Sequence, residues 1–169
     1  EQSAELASLP RRLGGLFHLA GVLDDGLILN MNEERLRTVV APKVGIVPLI
    51  ELLSARGHHL PWALLASSTS SLLGYAGQSN YAAANALFAH AAPFGRGVGG
   101  AVAPAARAPR ILTLTFGPWG EVGMARAGTR AHDASVASGE TPMPTQQALA
   151  CIAEALRLFG TGAGNAQFC

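Results

Sequence analysis

The sequence predicts an α/β protein built on a doubly wound parallel sheet, with about four strands and their flanking helices within the chain. Two short, nearly continuous apolar runs, 15–22 and 62–66, suit strands buried on both faces of a parallel sheet. Segments with apolar residues at helical spacing lie between and after them. Strand and helix then alternate to the end of the chain, the order in which a parallel sheet is built.

The first strand is Gly15-Leu16-Phe17-His18-Leu19-Ala20-Gly21-Val22. From Asn32 to Leu53 the residues Leu36, Val39, Val40, Val44, Val47 and Leu53 recur at helical spacing, and Pro42 and Pro48 should kink or divide that helix. Trp62–Ala66 is the second strand. A Ser/Thr stretch at 67–71 and a loop through Gly77 follow it, and alanine-rich Ser79–Ala92 makes the next helix. Residues 95–110, rich in Gly, Ala, Pro and Arg and without periodicity, form a loop insertion. Ile111–Phe116 alternates as a strand does and stops at Gly117-Pro118. Residues 120–140 are small and polar with no helical stripe, which predicts a mobile lid rather than a core element. After Pro144, the helix Thr145–Phe159 places Leu149, Ile152, Ala153 and Leu156 on one face. Ala166-Gln167-Phe168-Cys169 begins another strand. This succession is that of a Rossmann-like fold in its C-terminal portion.

With 169 residues, 49% of them hydrophobic, the chain can fill one core and little of a second, so it forms one domain or part of one. A net charge of +1 offers no basic patch for nucleic acid and no acidic tail. Cys151 lies in a helical pattern and Cys169 at the end, without metal-ligand spacing; a reduced, cytoplasmic setting without metal is expected. No apolar run reaches the roughly 18 to 20 residues of a membrane span, and no signal-peptide pattern opens the chain. The chain starts at Glu1 and stops at a strand start, so a fragment is expected.

In open α/β sheets the ligand lies beyond the carboxyl ends of the strands. After the second strand come Ser67 and Ser68, then Tyr81 near the start of the next helix. A phenol, with an ordinary pKa of about 10, protonates a developing alkoxide when a neighbouring cation makes its ionised form accessible. Lys43, in the preceding helix, is the nearest such cation in topology. A serine hydroxyl beside the phenol would give the carbonyl oxygen a second donor, without need of a metal.

These residues belong to a wider pattern. His18-Leu19-Ala20-Gly21-Val22-Leu23-Asp24-Asp25-Gly26, Ala41-Pro42-Lys43-Val44-Gly45, Ser67-Ser68 with Gly77-Gln78-Ser79-Asn80-Tyr81-Ala82-Ala83-Ala84-Asn85, and Gly117-Pro118-Trp119 with Gly123-Met124-Ala125 resemble, in the same order, the ketoreductase domain of modular polyketide and fatty-acid synthases. That domain is a member of the short-chain dehydrogenase/reductase superfamily. The resemblance runs from about Leu13 onward. It implies NADPH-dependent reduction of a β-ketoacyl thioester, carried on the phosphopantetheine arm of an acyl carrier protein, within a multienzyme. It implies that Tyr81 donates the proton and Ser68 holds the carbonyl. Lys43 would lower the tyrosine pKa and touch the nicotinamide ribose, with Asn85 in the same network. His18, Ala20, Gly21, Gly117 and Pro118 would lie beside the cofactor. Leu23, Asp24, Asp25, Gln78, Asn80, Trp119 and Met124 would face substrate or govern stereochemistry. Stand-alone relatives place the lysine four residues after the tyrosine; here Asn85 holds that place, which points to the synthase-embedded class. Leu23-Asp24-Asp25 resembles the motif of the type giving a D-configured hydroxyl, and Leu73 lacks the tryptophan of the opposite type. Ala76 departs from the proline usual in the D-type.

Each residue also has a plainer reading. Ser68 alone would be a turn residue, Tyr81 a packing residue with a wet hydroxyl, and Lys43 a solvated charge. The proline, valine and glycine around Lys43 favour a partly buried lysine instead. Asp24 and Asp25 with Gly26 form a strong turn signal, and His18 is a core histidine by position. Trp119 and Met124 could be apolar anchors of the lid. The glycine clusters 95–100 and 160–164 both follow helices, whereas a phosphate loop needs a strand before it and a helix after it; they read as an insertion and a helix-ending turn.

No strand, glycine-rich loop and helix precede Gly15, so the segment that grips the adenosine end of the cofactor is expected outside this chain. Three readings follow: a ketoreductase fragment active only within a full synthase, a structural or interaction fragment, or another short-chain dehydrogenase-like enzyme such as an epimerase. The absence of a Tyr-x-x-x-Lys pair argues against the last.

Overall fold

The computed structural model describes Leu6 and residues 8–89, 109–161 and 166–168. Strands β1 (Leu16–His18), β2 (Trp62–Ser68), β3 (Arg110–Phe116) and β4 (Ala166–Phe168) stand in that order in one sheet. All pair in parallel, and β2 and β3 are in register from Trp62 opposite Arg110 to Ser68 opposite Phe116. Helices α1 (Glu33–Val44) and α2 (Ile46–Ala55) connect β1 to β2, and α3 (Ser70–Leu73) and α4 (Ser79–Ala89) connect β2 to β3. Helices α5 (Arg130–Ala137) and α6 (Thr145–Thr161) precede β4.

Alternation along β2 and β3 sends apolar side chains to both faces of the sheet. Ala63, Leu65 and Ile111 pack with Ile46 of α2 and Phe88 of α4 on one face. Leu64, Leu112 and Leu114 pack with Ala155 and Phe159 of α6 on the other. The sheet is therefore doubly wound. Two polar residues on the α4 face are satisfied by that helix, Ser67 Oγ donating to Asn85 O at 3.1 Å and Thr113 Oγ1 to Phe88 O at 3.1 Å, whereas the buried Thr115 Oγ1 has no partner.

Several elements differ from the expectation in extent. β1 is three residues long and pairs with β2 alone among the described strands, so Phe17 packs edge-on against Trp62 while 53% exposed. Among the described strands it stands at an edge of the sheet, and its exposed Phe17 departs from a strand buried on both faces. β2 runs on through Ser67 and Ser68, because both pair with β3. The helix over 32–53 is divided, as its prolines suggested, but at Gly45, with Pro42 retained inside α1. Together residues 33–55 are long and apolar enough to cross a bilayer by length and composition, contrary to the run-by-run reading. In the fold they are two helices, with Ile46, Val47, Leu49 and Ile50 packed on the sheet and Lys43 buried.

The buried stripe of α6 is Ala148, Ala155 and Phe159, with Ile152 and Leu156 beside them; Leu149 is 55% exposed. The stripe is rotated from the expected one, with Ala148 buried in place of Leu149. Residues 120–140 contain α5, which Thr129 caps by accepting from the His132 amide at 3.2 Å. Their ends are pinned together, since Gly120 N donates to Met143 O at 3.0 Å and Met143 N to Pro118 O at 2.8 Å. The insertion at 95–110 lies outside the described residues except for Pro109 and Arg110, and 162–165 lie outside them too.

Candidate active site

The carboxyl ends of β1, β2 and β3 open onto a cavity of about 510 Å³. Leu19–Gly21 reach it after β1, Ser67–Thr69 from the end of β2, and Gly117–Trp119 after β3. Lys43 of α1 and Tyr81 of α4 line it, as do Ala131, Ala134 and Ser135 of α5.

Ser68 is the last residue of β2. Its Oγ accepts from the Ser70 amide at 3.2 Å and the Ser70 hydroxyl at 3.0 Å. With both lone pairs engaged, its own O–H remains free to donate. The Tyr81 phenol lies close enough to the Ser68 and Asn85 side chains to be influenced by both. Burial pushes the phenol up, the Asn85 and Ser68 side chains pull it down, and the Asp25 charge pushes it up, leaving it above its ordinary value. Asn85 stands one helical turn on, fully buried, with Nδ2 donating to Tyr81 O at 2.9 Å and Oδ1 without a partner.

Lys43 is only 5% exposed. Its Nζ donates to Ala66 O at 2.7 Å and lies 4.7 Å from the centroid of the Phe88 ring. Burial lowers its pKa to about 8. The cation thus shares the cavity with Tyr81. His18 lies behind the wall: its Nε2 pairs with Pro42 O at 2.8 Å, its ring packs edge-on against Phe88, and Nδ1 has no partner. Burial is the largest influence lowering its pKa.

The loop after β1 is held from two sides. Arg35 grips the Asp24 carboxylate with Nε at 3.0 Å and Nη2 at 2.6 Å, and Nη2 also reaches Asp25 O at 2.7 Å. From the other side Asn80 Nδ2 donates to Asp24 O at 2.8 Å, Gln78 Nε2 to Asp25 Oδ2 at 3.0 Å, and Gly26 N to Gly77 O at 2.8 Å. Leu23, Asp25, Gln78, Trp119 and Met124 line the cavity, whereas Asp24 and Asn80 fasten the loop that presents Leu23 and Asp25. Of the residues read as lying beside a cofactor, Ala20, Gly21, Gly117 and Pro118 line it.

A second polar group, not singled out in the sequence, also lines the cavity. Glu140 Oε1 accepts from Thr69 Oγ1 at 2.9 Å, Tyr75 OH reaches Thr69 Oγ1 at 3.5 Å, and Ser135 Oγ donates to Glu140 Oε2. Burial works against the carboxylate, but the donors Ser135, Tyr75 and Thr69 outweigh it and hold its pKa below the ordinary range. Among the described residues no cluster of His, Cys, Asp or Glu could hold a metal.

A family model described as the KR domain matches residues 2–101. The chain belongs to the KR domain family. It is 42% identical over 123 residues to polyketide synthase GfsA of Streptomyces halstedii, covering 72% of this chain and 2% of that protein. It is 35% identical over 160 residues to pikromycin polyketide synthase component PikAII of Streptomyces venezuelae, covering 92% of this chain and 4% of that one. Among solved structures it is similar to one described as A-type ketoreductases from a modular polyketide synthase. There the TM-score is 0.73 at 30% identity, covering 92% of this chain and 31% of that one. The chain thus spans a small part of the synthases it matches and about a third of that KR structure. The likeness bears out the Rossmann-like α/β fold and the synthase-embedded class read from the sequence.

Proposed function

We propose that this KR chain contributes the chemical half of a β-ketoacyl reductase: with NADPH, a β-ketoacyl thioester on an acyl carrier protein becomes a β-hydroxyacyl thioester during polyketide assembly. The observation that carries the proposal is the convergence of Ser68, Tyr81 and Lys43 on one cavity at the carboxyl ends of the strands.

Tyr81 Oη gives its proton to the ketone oxygen as that oxygen becomes an alkoxide. A phenol whose pKa stands above the ordinary value stays protonated at neutral pH, as a donor must. Ser68 O–H donates to the same oxygen, so negative charge develops between two preset donors. Lys43 has used one of its three N–H donors, on Ala66 O. The remaining two, in a cavity bordered by Ala20, Gly21, Gly117 and Pro118, fit the ribose hydroxyls at the nicotinamide end of a dinucleotide. When bound, that cofactor supplies the hydride that adds to the carbonyl carbon. After transfer, the Lys43 charge stabilises the tyrosinate, and Asn85, with its unpartnered Oδ1, completes the polar path behind it. The loop carrying Leu23 and Asp25, fastened by Asn80 and Arg35, sets which face of the ketone meets the hydride, toward the D-configured product.

The reading places the chain in the cytoplasm, beside the other domains of a synthase. Its experiment is cofactor oxidation by the intact domain with a β-ketoacyl thioester surrogate. Absorbance loss at the reduced nicotinamide band with NADPH, and less with NADH, is the expected result. No substrate-dependent oxidation with either cofactor would overturn it.

A further inference from the structure

The end of α5 is built in an unusual way for an acidic residue. Gly139 has φ +86°, its amide donates to Val136 O at 3.0 Å, and the Glu140 amide donates to Ser135 O at 3.1 Å. These two bonds are a glycine-terminated helix cap, and they fix the Glu140 backbone against the last turn of α5. A carboxylate at a helix C-terminus faces the negative end of the macrodipole, so it is not there to stabilise the helix. Its side chain instead accepts from Ser135 on α5 with one oxygen and, with the other, from Thr69, which follows the last residue of β2. Tyr75, in the loop after α3, reaches the same Thr69 hydroxyl.

The carboxylate therefore ties a helix to a strand end 71 residues away in sequence. Ala131, Ala134 and Ser135 of α5 line the cavity on one side of this tie, and Ser68 lies next to Thr69 on the other. No apolar core holds α5 in its place, for none of its residues is buried. We infer that Glu140 is a positioning residue that clamps α5 against the end of β2 through Ser135 and Thr69, and so sets the width of the cavity in which the substrate is held next to Ser68 and Tyr81. The effect on substrate rests on the reductase reading; the clamp itself rests on the geometry alone.

The experiment measures amide hydrogen exchange and steady-state kinetics of the intact domain as wild type, Glu140→Ala, Glu140→Gln and Thr69→Val. Glu140→Ala and Thr69→Val should speed exchange of the α5 amides by about tenfold, which is about 1.4 kcal/mol of local opening, with β2 and α4 unchanged. Glu140→Gln, which keeps an acceptor oxygen, should recover part of the protection. KM for the thioester should rise about fivefold to tenfold in Glu140→Ala with kcat within about twofold, as loss of binding common to ground and transition states requires. Unchanged α5 exchange in Glu140→Ala, or acceleration spread equally over β2 and α4, overturns the clamp. If α5 responds while the wild type reduces no thioester, the clamp stands and the reductase reading falls. If the wild type reduces the thioester but neither exchange nor KM moves, the reverse holds.

Discussion

Lys43 Nζ donates to the main-chain oxygen of Ala66 at 2.7 Å from a position only 5% exposed. A charge from α1 is thereby held under the end of β2, two residues before Ser68, and Phe88 closes over it at 4.7 Å. Burial brings the lysine to about 8 from 10.5, which gives it a titration that both stability and activity can report.

The folded chain binds the Lys43 proton less tightly than the unfolded one. Its penalty on stability is full below about 8 and is relieved as pH rises from there toward 10.5. The amplitude is at most about 3 kcal/mol. Urea midpoints of wild type minus those of Lys43→Met, taken at neutral and alkaline pH, should increase with pH; a constant difference would contradict this origin of the shift. In the intact domain, kcat/KM should fall on an alkaline limb near 8, since the positive charge is lost there.

Asn80 is 1% exposed and bridges two segments: Nδ2 holds Asp24 O, and Oδ1 accepts the Tyr81 amide at 2.9 Å. Asn80→Ala leaves both groups without that partner and should cost about 1 to 3 kcal/mol. It should also loosen the loop that carries Leu23 and Asp25, so the ratio of product stereoisomers should shift. Thermal unfolding and chiral chromatography of the product check the two halves; an unchanged ratio would separate Asn80 from stereocontrol.

Asn80 also shows how far the sequence was legible. Its place in the Gly77–Asn85 segment marked it as a site residue, and the structure brings it to the site, but as the fastening of Asp24 rather than as cavity wall. Sequence order was enough to place Ser68, Tyr81 and Lys43 together, because parallel α/β topology carries the ends of successive strands to one edge of the sheet. The position of the Lys43 ammonium was not legible: that the lysine is buried follows from its apolar neighbours, but its bond to Ala66 depends on how α1 packs over β2. Glu140 was missed because its partners, Thr69 and Tyr75, are remote in sequence, and because α5 has no apolar stripe to announce a helix. The stripe of α6 was misplaced because the expectation followed hydrophobicity to Leu149, whereas the buried residue is its small neighbour Ala148.

Gly139 has open space where a side-chain methyl would stand, with nothing within 4 Å, so the penalty of Gly139→Ala comes from its φ of +86° alone. That penalty is about 1 to 2 kcal/mol. It should appear as faster exchange of the α5 amides with little change in global unfolding, because none of the residues of α5 is buried. Equal losses in local and global stability would show that α5 and the sheet unfold as one unit.

The central claim is that the Tyr81 hydroxyl is the proton donor at this cavity. Tyr81→Phe removes that oxygen and keeps the ring that α4 packs, so the intact domain carrying it should bind NADPH as the wild type does. Its kcat for a β-ketoacyl thioester should fall by about two to four orders of magnitude, the usual contribution of a positioned acid. Turnover at the wild-type rate would contradict the account and leave Ser68 and Lys43 without the group they are arranged to serve.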